Sequence, residues 1–148
     1  MILQLTFFTF VLAIVVSNLE IQIEGKNGWA KNLPTWKNDS NFYTRLSGKT
    51  LTGYHIWLLT LVVFVYHNIF FLLDWSLSRE ILIVGFISVF FVVADFLWFM
   101  FNPNFGLKRF NSKHIPWHKK WLWIFPTEYY WGIALFIVSI VLGSSNNF

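Results

Sequence analysis

Four long apolar stretches divide this chain, at about 2–23, 53–74, 81–101 and 121–143. Each is long enough to cross roughly 30 Å of hydrocarbon as an α-helix. Only the short "WSLSRE" separates the second from the third, so those two are expected as an antiparallel hairpin. Pro126 interrupts the fourth. One reading starts that span at Trp121. An equal one places a short interfacial helix from Pro116 to Ile124 and starts the span at Pro126, because proline suits a first helical turn in both places.

Polar and small residues recur within each stretch at helical spacing. On the first, Thr6, Thr9, Ala13, Ser17, Glu20 and Glu24 share a face. The second carries Thr60, His67 and Asp74, the third Ser88, Asp95 and Asn102, and the fourth Glu128, Gly132, Ser139 and Gly143. The other faces are Phe, Leu, Ile, Val and Trp. The polar seams are expected to meet inside a bundle, where small residues let helices approach and polar ones hydrogen-bond across.

Composition agrees. The 148 residues suffice for one domain, 1–148. Charged residues make up 12% of the chain, against about 25% in soluble domains. The predicted fold class is therefore an all-α integral membrane protein, a four-transmembrane-helix bundle with two interfacial loops. The chain has no cysteine, which excludes disulfides, thiolate metal sites and cysteine nucleophiles. The first stretch lacks a basic n-region and a small-residue cleavage site, so it reads as an uncleaved helix and not a signal peptide.

The net charge of +4 bears on topology, not on nucleic acid. The first loop holds Lys26, Lys31, Lys37, Arg45 and Lys49, and the third Lys108, Arg109, Lys113, Lys119 and Lys120. The remaining basic residue, Arg79, lies in the second loop. The positive-inside rule then puts the first and third loops in the cytoplasm, with both termini outside the cell membrane. The acceptor motif Asn38-Asp39-Ser40 falls on the cytoplasmic side of that topology and carries no weight as a glycosylation site.

Ionisable residues inside apolar spans are costly, about 2.5–3.5 kcal/mol each on insertion scales. Asp95 lies six residues before the end of its span, roughly 9 Å deep at 1.5 Å per residue. Glu128 reaches a similar level if its span starts at Trp121. Glu20, Glu24, His55 and Asn102 sit closer to the same rim, and His114 and His118 lie in the loop "NSKHIPWHKKWLW" above it. A polar pocket at the cytoplasmic leaflet is expected, roofed by the two loops.

Two carboxylates buried at one level must take up a proton, pair with a cation or bind a metal. Three functions fit. In the first, the chain is a membrane enzyme acting on a lipid or isoprenoid-like substrate. Asp95, Glu128, His55 and His118 would carry acid–base chemistry. Trp29, Trp36, Lys108, Arg109, Trp117, Lys119 and Asn102 would hold the substrate, a phosphate on it being held by His118, Lys119, Lys120, Lys108 and Arg109 with the N–H groups of a helix starting near Pro116. A zinc or non-haem iron site would draw on Glu20, Glu24 and His114, although the His114–His118 spacing is broken by Pro116. In the second, the chain is a non-catalytic accessory subunit of a larger membrane complex. In the third, it is a proton- or ion-conducting bundle, whose small size calls for a homo-oligomer. Membrane lipids are partners in all three.

Overall fold

The computed structural model describes residues 1–40, 42–47 and 49–144, the side chains of 46 and 47 excepted. Its long helices are α1 (Ile2–Glu24), α3 (Gly53–His67), α4 (Leu77–Phe101) and α6 (Thr127–Ser144), with short helices α2 (Phe42–Ser47) and α5 (Gly106–Arg109) in the loops. A 3₁₀ turn, Asn68–Phe71, extends α3. With that extension, four helices of 23, 19, 25 and 18 residues are long and apolar enough to cross a membrane.

Local chemistry sets their ends. Gly25, at φ 63°, terminates α1 in a left-handed conformation that glycine adopts without Cβ strain. The Thr52 and Ser76 hydroxyls cap α3 and α4 by accepting from the backbone N–H of His55 and Arg79.

Helix α4 is the central element, packed along α6 on one side and α1 on the other, with α3 touching it only lightly. The α4–α6 seam is built from small residues. A Cβ on Gly132 would lie 2.5 Å from Val92 and one on Gly143 2.5 Å from Leu82, while one on Gly85 would run into Ser139. Backbones approach closely enough for the Ser88 hydroxyl to donate to the Gly132 carbonyl at 3.0 Å. On the other side Thr9, Ala13 and Ser17 of α1 are buried. The Tyr66 hydroxyl of α3 reaches Thr9 Oγ1 at 2.7 Å. The expected seams of α1, α4 and α6 therefore face inward, except at Thr6, which is exposed and donates to the Ile2 carbonyl at 2.9 Å.

The expected seam on α3 does not. Thr60 and Asp74 are exposed, and the buried positions of this helix are Gly53, Val62 and Tyr66. Thr60 satisfies its hydroxyl on its own helix, donating to the Ile56 carbonyl at 2.9 Å, so it needs no interior partner. His67 instead meets Glu80 at 3.0 Å, at the end of the bundle away from the basic loops.

The interfacial helix from Pro116 to Ile124 does not form either, and the fourth span does not start at Trp121. Strand β3 (Trp121–Leu122) pairs antiparallel with β4 (Phe125–Pro126). Trp123, at φ 55°, turns the chain between them. Helix α6 begins directly after Pro126, with the Thr127 N–H bonded to the Lys120 carbonyl at 3.0 Å. A second small ladder, β1 (Lys37–Asn38) with β2 (Leu51–Thr52), orders the first loop. Helix α4 also starts at Leu77, earlier than its apolar run, because the Ser76 cap recruits the polar first turn.

Candidate functional site

At the end of the bundle that carries the basic loops, α1, α3, α4 and α6 enclose a cavity of about 480 Å³. Its polar end is lined by Glu20, Glu24, Lys49, His55, Asp95, His118 and Glu128. Its other end is apolar and runs along α4 past Val92 to Ser88, beside Leu58, Leu59 and Gly132.

The centre of the polar end is His118. The loop after α4 lowers it into the bundle. Asn102, itself buried, donates to the Gly25 carbonyl at 2.9 Å and so ties the end of α4 to the end of α1. Farther along, Ile115 is fully buried, and Trp117 stacks on Phe99 with ring centroids 6.0 Å apart. Trp121 Nε1 then donates to the His118 carbonyl at 2.7 Å. The His118 side chain is left only 1% exposed.

Its ring lies between two carboxylates. His118 Nε2 is 3.1 Å from Asp95 Oδ2, and the same oxygen accepts from the Tyr129 hydroxyl at 2.5 Å. On the other side, His118 Nδ1 is 3.6 Å from Glu128 Oε1, too far for a hydrogen bond. Lys49 Nζ approaches that Glu128 oxygen to 3.8 Å. Among the described residues, the buried side-chain atoms with no hydrogen-bond partner are His118 Nδ1, both Glu128 oxygens and Trp98 Nε1. All three residues line this cavity.

Charge follows from these positions. Burial alone would lower the His118 pKa, but the Asp95 carboxylate and the approach of Glu128 outweigh it and raise the imidazole above its ordinary value. Burial lowers the Lys49 ammonium, partly offset by Asp95 and Glu128. The protonated form of the ring is thus favoured, with one N–H on Asp95 and the other turned toward Glu128.

A second polar group lies beside the first. His55 Nδ1 is 2.6 Å from Thr52 Oγ1, and its Nε2 is 3.7 Å from Glu24 Oε1. Glu24 accepts from the Ala30 N–H at 2.5 Å, while Glu20 accepts from the Tyr54 hydroxyl at 3.4 Å. Trp29 links the groups: it stacks on His55 at 4.0 Å and carries the Lys49 ammonium 4.5 Å from its ring centroid. Trp29 and Ala30 both sit at positive φ, 48° and 50°, an uncommon conformation for residues with a Cβ. The bonds from Ala30 N to Glu24 and from Trp29 Nε1 to the Thr50 carbonyl, at 2.8 Å, hold them there. Backbone strain of this kind clusters at functional sites.

The structure brings together Asp95, Glu128, His55, His118, Glu20, Glu24, Trp29 and Trp117. It keeps the others apart. Lys108, Arg109 and Lys119 are exposed on the outer side of the loop, and no helix starts at Pro116 to offer a phosphate its N–H groups. Asn102 serves the Gly25 tie. Trp36 instead lines a second cavity of about 630 Å³ between α1 and α3. His114 is exposed and bonds Asn111 at 2.8 Å, so it does not join Glu20 and Glu24. Among the described residues no group of three or more histidines and carboxylates is arranged to hold a metal ion.

Two residues of the centre escaped the sequence reading. Lys49 is one of five basic residues in the first loop, and Tyr129 carries no charge that would mark it within a span. The adjacency of Tyr129 to Glu128 was the only signal, because one helical step apart they can flank a common partner.

Comparison of the chain with protein-family models, with curated proteins and with solved structures finds no match.

Proposed function

We propose that this chain is a multi-pass membrane protein that takes an amphiphile into the cavity beneath its basic loops and performs proton transfer at the head group. In this reading the head lies among His118, Glu128 and Asp95, and the tail runs along α4 toward Ser88. His118 is the proton donor, oriented by Asp95, and Glu128 is the acceptor. A proton-transfer group works best with a pKa near the operating pH. The raised His118 and its unpartnered Nδ1 suit that role. The positive-inside rule assigns the basic loops, and so the cavity, to the cytoplasmic leaflet.

The observation that carries the reading is the shape of the cavity, polar at one end and apolar at the other, with unpartnered Glu128 and His118 atoms at the polar end. Co-purification tests it. The protein extracted in a mild detergent should retain a stoichiometric amphiphile, seen by mass spectrometry. Leu59→Trp, which narrows the apolar end from a half-exposed position, should remove it. Retention of the same amphiphile by the Leu59→Trp protein would end the proposal.

A second reading has its own support. Leu19, Ile23, Trp57 and Leu61 line the groove between α1 and α3, a surface suited to a partner helix. An accessory subunit would cross-link to a single protein through Leu61→Cys in native membranes. Proton conduction has no comparable support, since Phe86 and Phe90 are buried on α4 between Glu80 and Asp95.

A further inference from the structure

The cavity discriminates among head groups by which of its polar atoms are already committed. Asp95 is occupied by His118 and Tyr129, Glu24 by Ala30, and Glu20 by Tyr54. Glu128 is the exception, with both oxygens buried and without a hydrogen-bond donor. Opposite in kind are His118 and Trp98, whose Nδ1 and indole N–H lack acceptors. A buried polar group left unpaired is costly, so a bound molecule is expected to supply what each lacks.

Three head-group chemistries can be compared. A phosphate brings acceptors for His118 and Trp98 but no donor for Glu128. It also adds negative charge beside four carboxylates, while the lysines and arginines of the loops, Lys49 apart, are exposed outside the cavity. An ammonium supplies donors for Glu128 but nothing for His118 or Trp98, and it competes with Lys49, already 3.8 Å away. A hydroxyl both donates and accepts. It adds no charge to the site.

We infer that the amphiphile taken by this cavity is a neutral lipid alcohol, its hydroxyl head donating to Glu128 and accepting from His118 Nδ1, two groups 3.6 Å apart. This rests on the amphiphile reading above and names its substrate class. A long apolar chain on that alcohol would fill the end beside Val92 and Leu59.

The test uses the full chain in nanodiscs and three photoactivatable probes with the same twelve-carbon chain and a mid-chain diazirine. They differ only in the head: hydroxyl, ammonium or phosphate. Labelled positions are read by peptide mass spectrometry. The hydroxyl probe should label α3 and α4 around Leu59 and Val92 saturably, at least about fivefold above the other two, the worth of roughly one net hydrogen bond. Glu128→Gln or His118→Gln should each cut that preference by a similar factor, and two variants guard against one failing to fold. Equal or stronger labelling by the ammonium or phosphate probe overturns the alcohol assignment while leaving the amphiphile reading intact. If no probe labels saturably in a manner lost in Leu59→Trp, the amphiphile reading falls and the alcohol with it.

Discussion

Tyr129 and His118 share one oxygen of Asp95: the phenol donates to Oδ2 at 2.5 Å and the imidazole meets it at 3.1 Å. The neighbour of Tyr129, Glu128, approaches the opposite nitrogen of the same ring. Consecutive residues in the first turn of α6 thus address both sides of His118, one through Asp95 and one directly. This requires α6 to begin at Thr127, level with the loop that carries the histidine. A span begun at Trp121 would carry Glu128 more than a turn deeper.

Tyr129→Phe removes the phenolic donor and keeps the ring that packs against Phe125 and His118. Asp95 then loses one of its two hydrogen bonds. The loss should cost about 1–3 kcal/mol, since the acceptor is a carboxylate. Thermal unfolding in detergent would show a midpoint lower by several degrees. An unchanged midpoint would mean that the short contact carries no net stability.

The raised pKa of His118 makes stability depend on pH in a definite sense. The folded protein holds this proton more tightly than the unfolded chain, whose value is near 6.5. The stabilisation is therefore complete below that value and is lost as pH rises through the higher, folded pKa. Unfolding midpoints should fall as pH is raised above 6.5, and Asp95→Asn should flatten the slope by removing the partner that retains the proton. Histidine NMR titration of ring-labelled protein gives the direct measurement. A His118 midpoint below the ordinary value would contradict the ion pair.

The fold was largely legible because lipid-spanning length and small-residue seams are both local patterns. Gly132, Ser139 and Gly143 announce the α6 face that packs on α4, as Thr9, Ala13 and Ser17 announce the buried face of α1. Thr60, His67 and Asp74 show the same spacing without facing inward, because a hydroxyl bonded to its own helix looks identical in a sequence to one bonded across a bundle. In the site, Asp95, Glu128, His55 and His118 were readable from the cost of charge within or beside a span. Lys49 was not. Its burial follows from the β1–β2 ladder and the stacking of Trp29, which are contacts between residues far apart in the chain.

Close approach of α4 and α6 leaves little space for a side chain at Gly85. Gly85→Leu should force the helices apart at Ser139 and cost about 1–3 kcal/mol, as overpacking commonly does. Val84→Leu, one position away and exposed, should cost almost nothing. The contrast between the two, measured by unfolding in the same detergent, separates a packing effect from a change in hydrophobicity. Equal effects would place the seam elsewhere.

The basic loops make two kinds of lysine that one experiment can distinguish. Lys108, Arg109 and Lys119 are exposed, and none of them lines the cavity. Replacing all three with glutamine should barely move the unfolding midpoint and should change probe labelling by less than about twofold, since exposed charges contribute little. Lys49 is 9% exposed and stands between the Glu128 carboxylate and the Trp29 ring. Lys49→Gln leaves that carboxylate with His118 as its remaining cation. The cost should be about 1–2 kcal/mol, below the 3–5 expected for a fully buried pair because Glu128 keeps 30% of its side-chain surface accessible. Probe labelling beside Leu59 should weaken with it, because Glu128 would shift toward His118 Nδ1 and away from the ligand. Loss of labelling in the triple variant with none in Lys49→Gln would reverse the assignment and make the outer loop, not the cavity, the place where the head group is held.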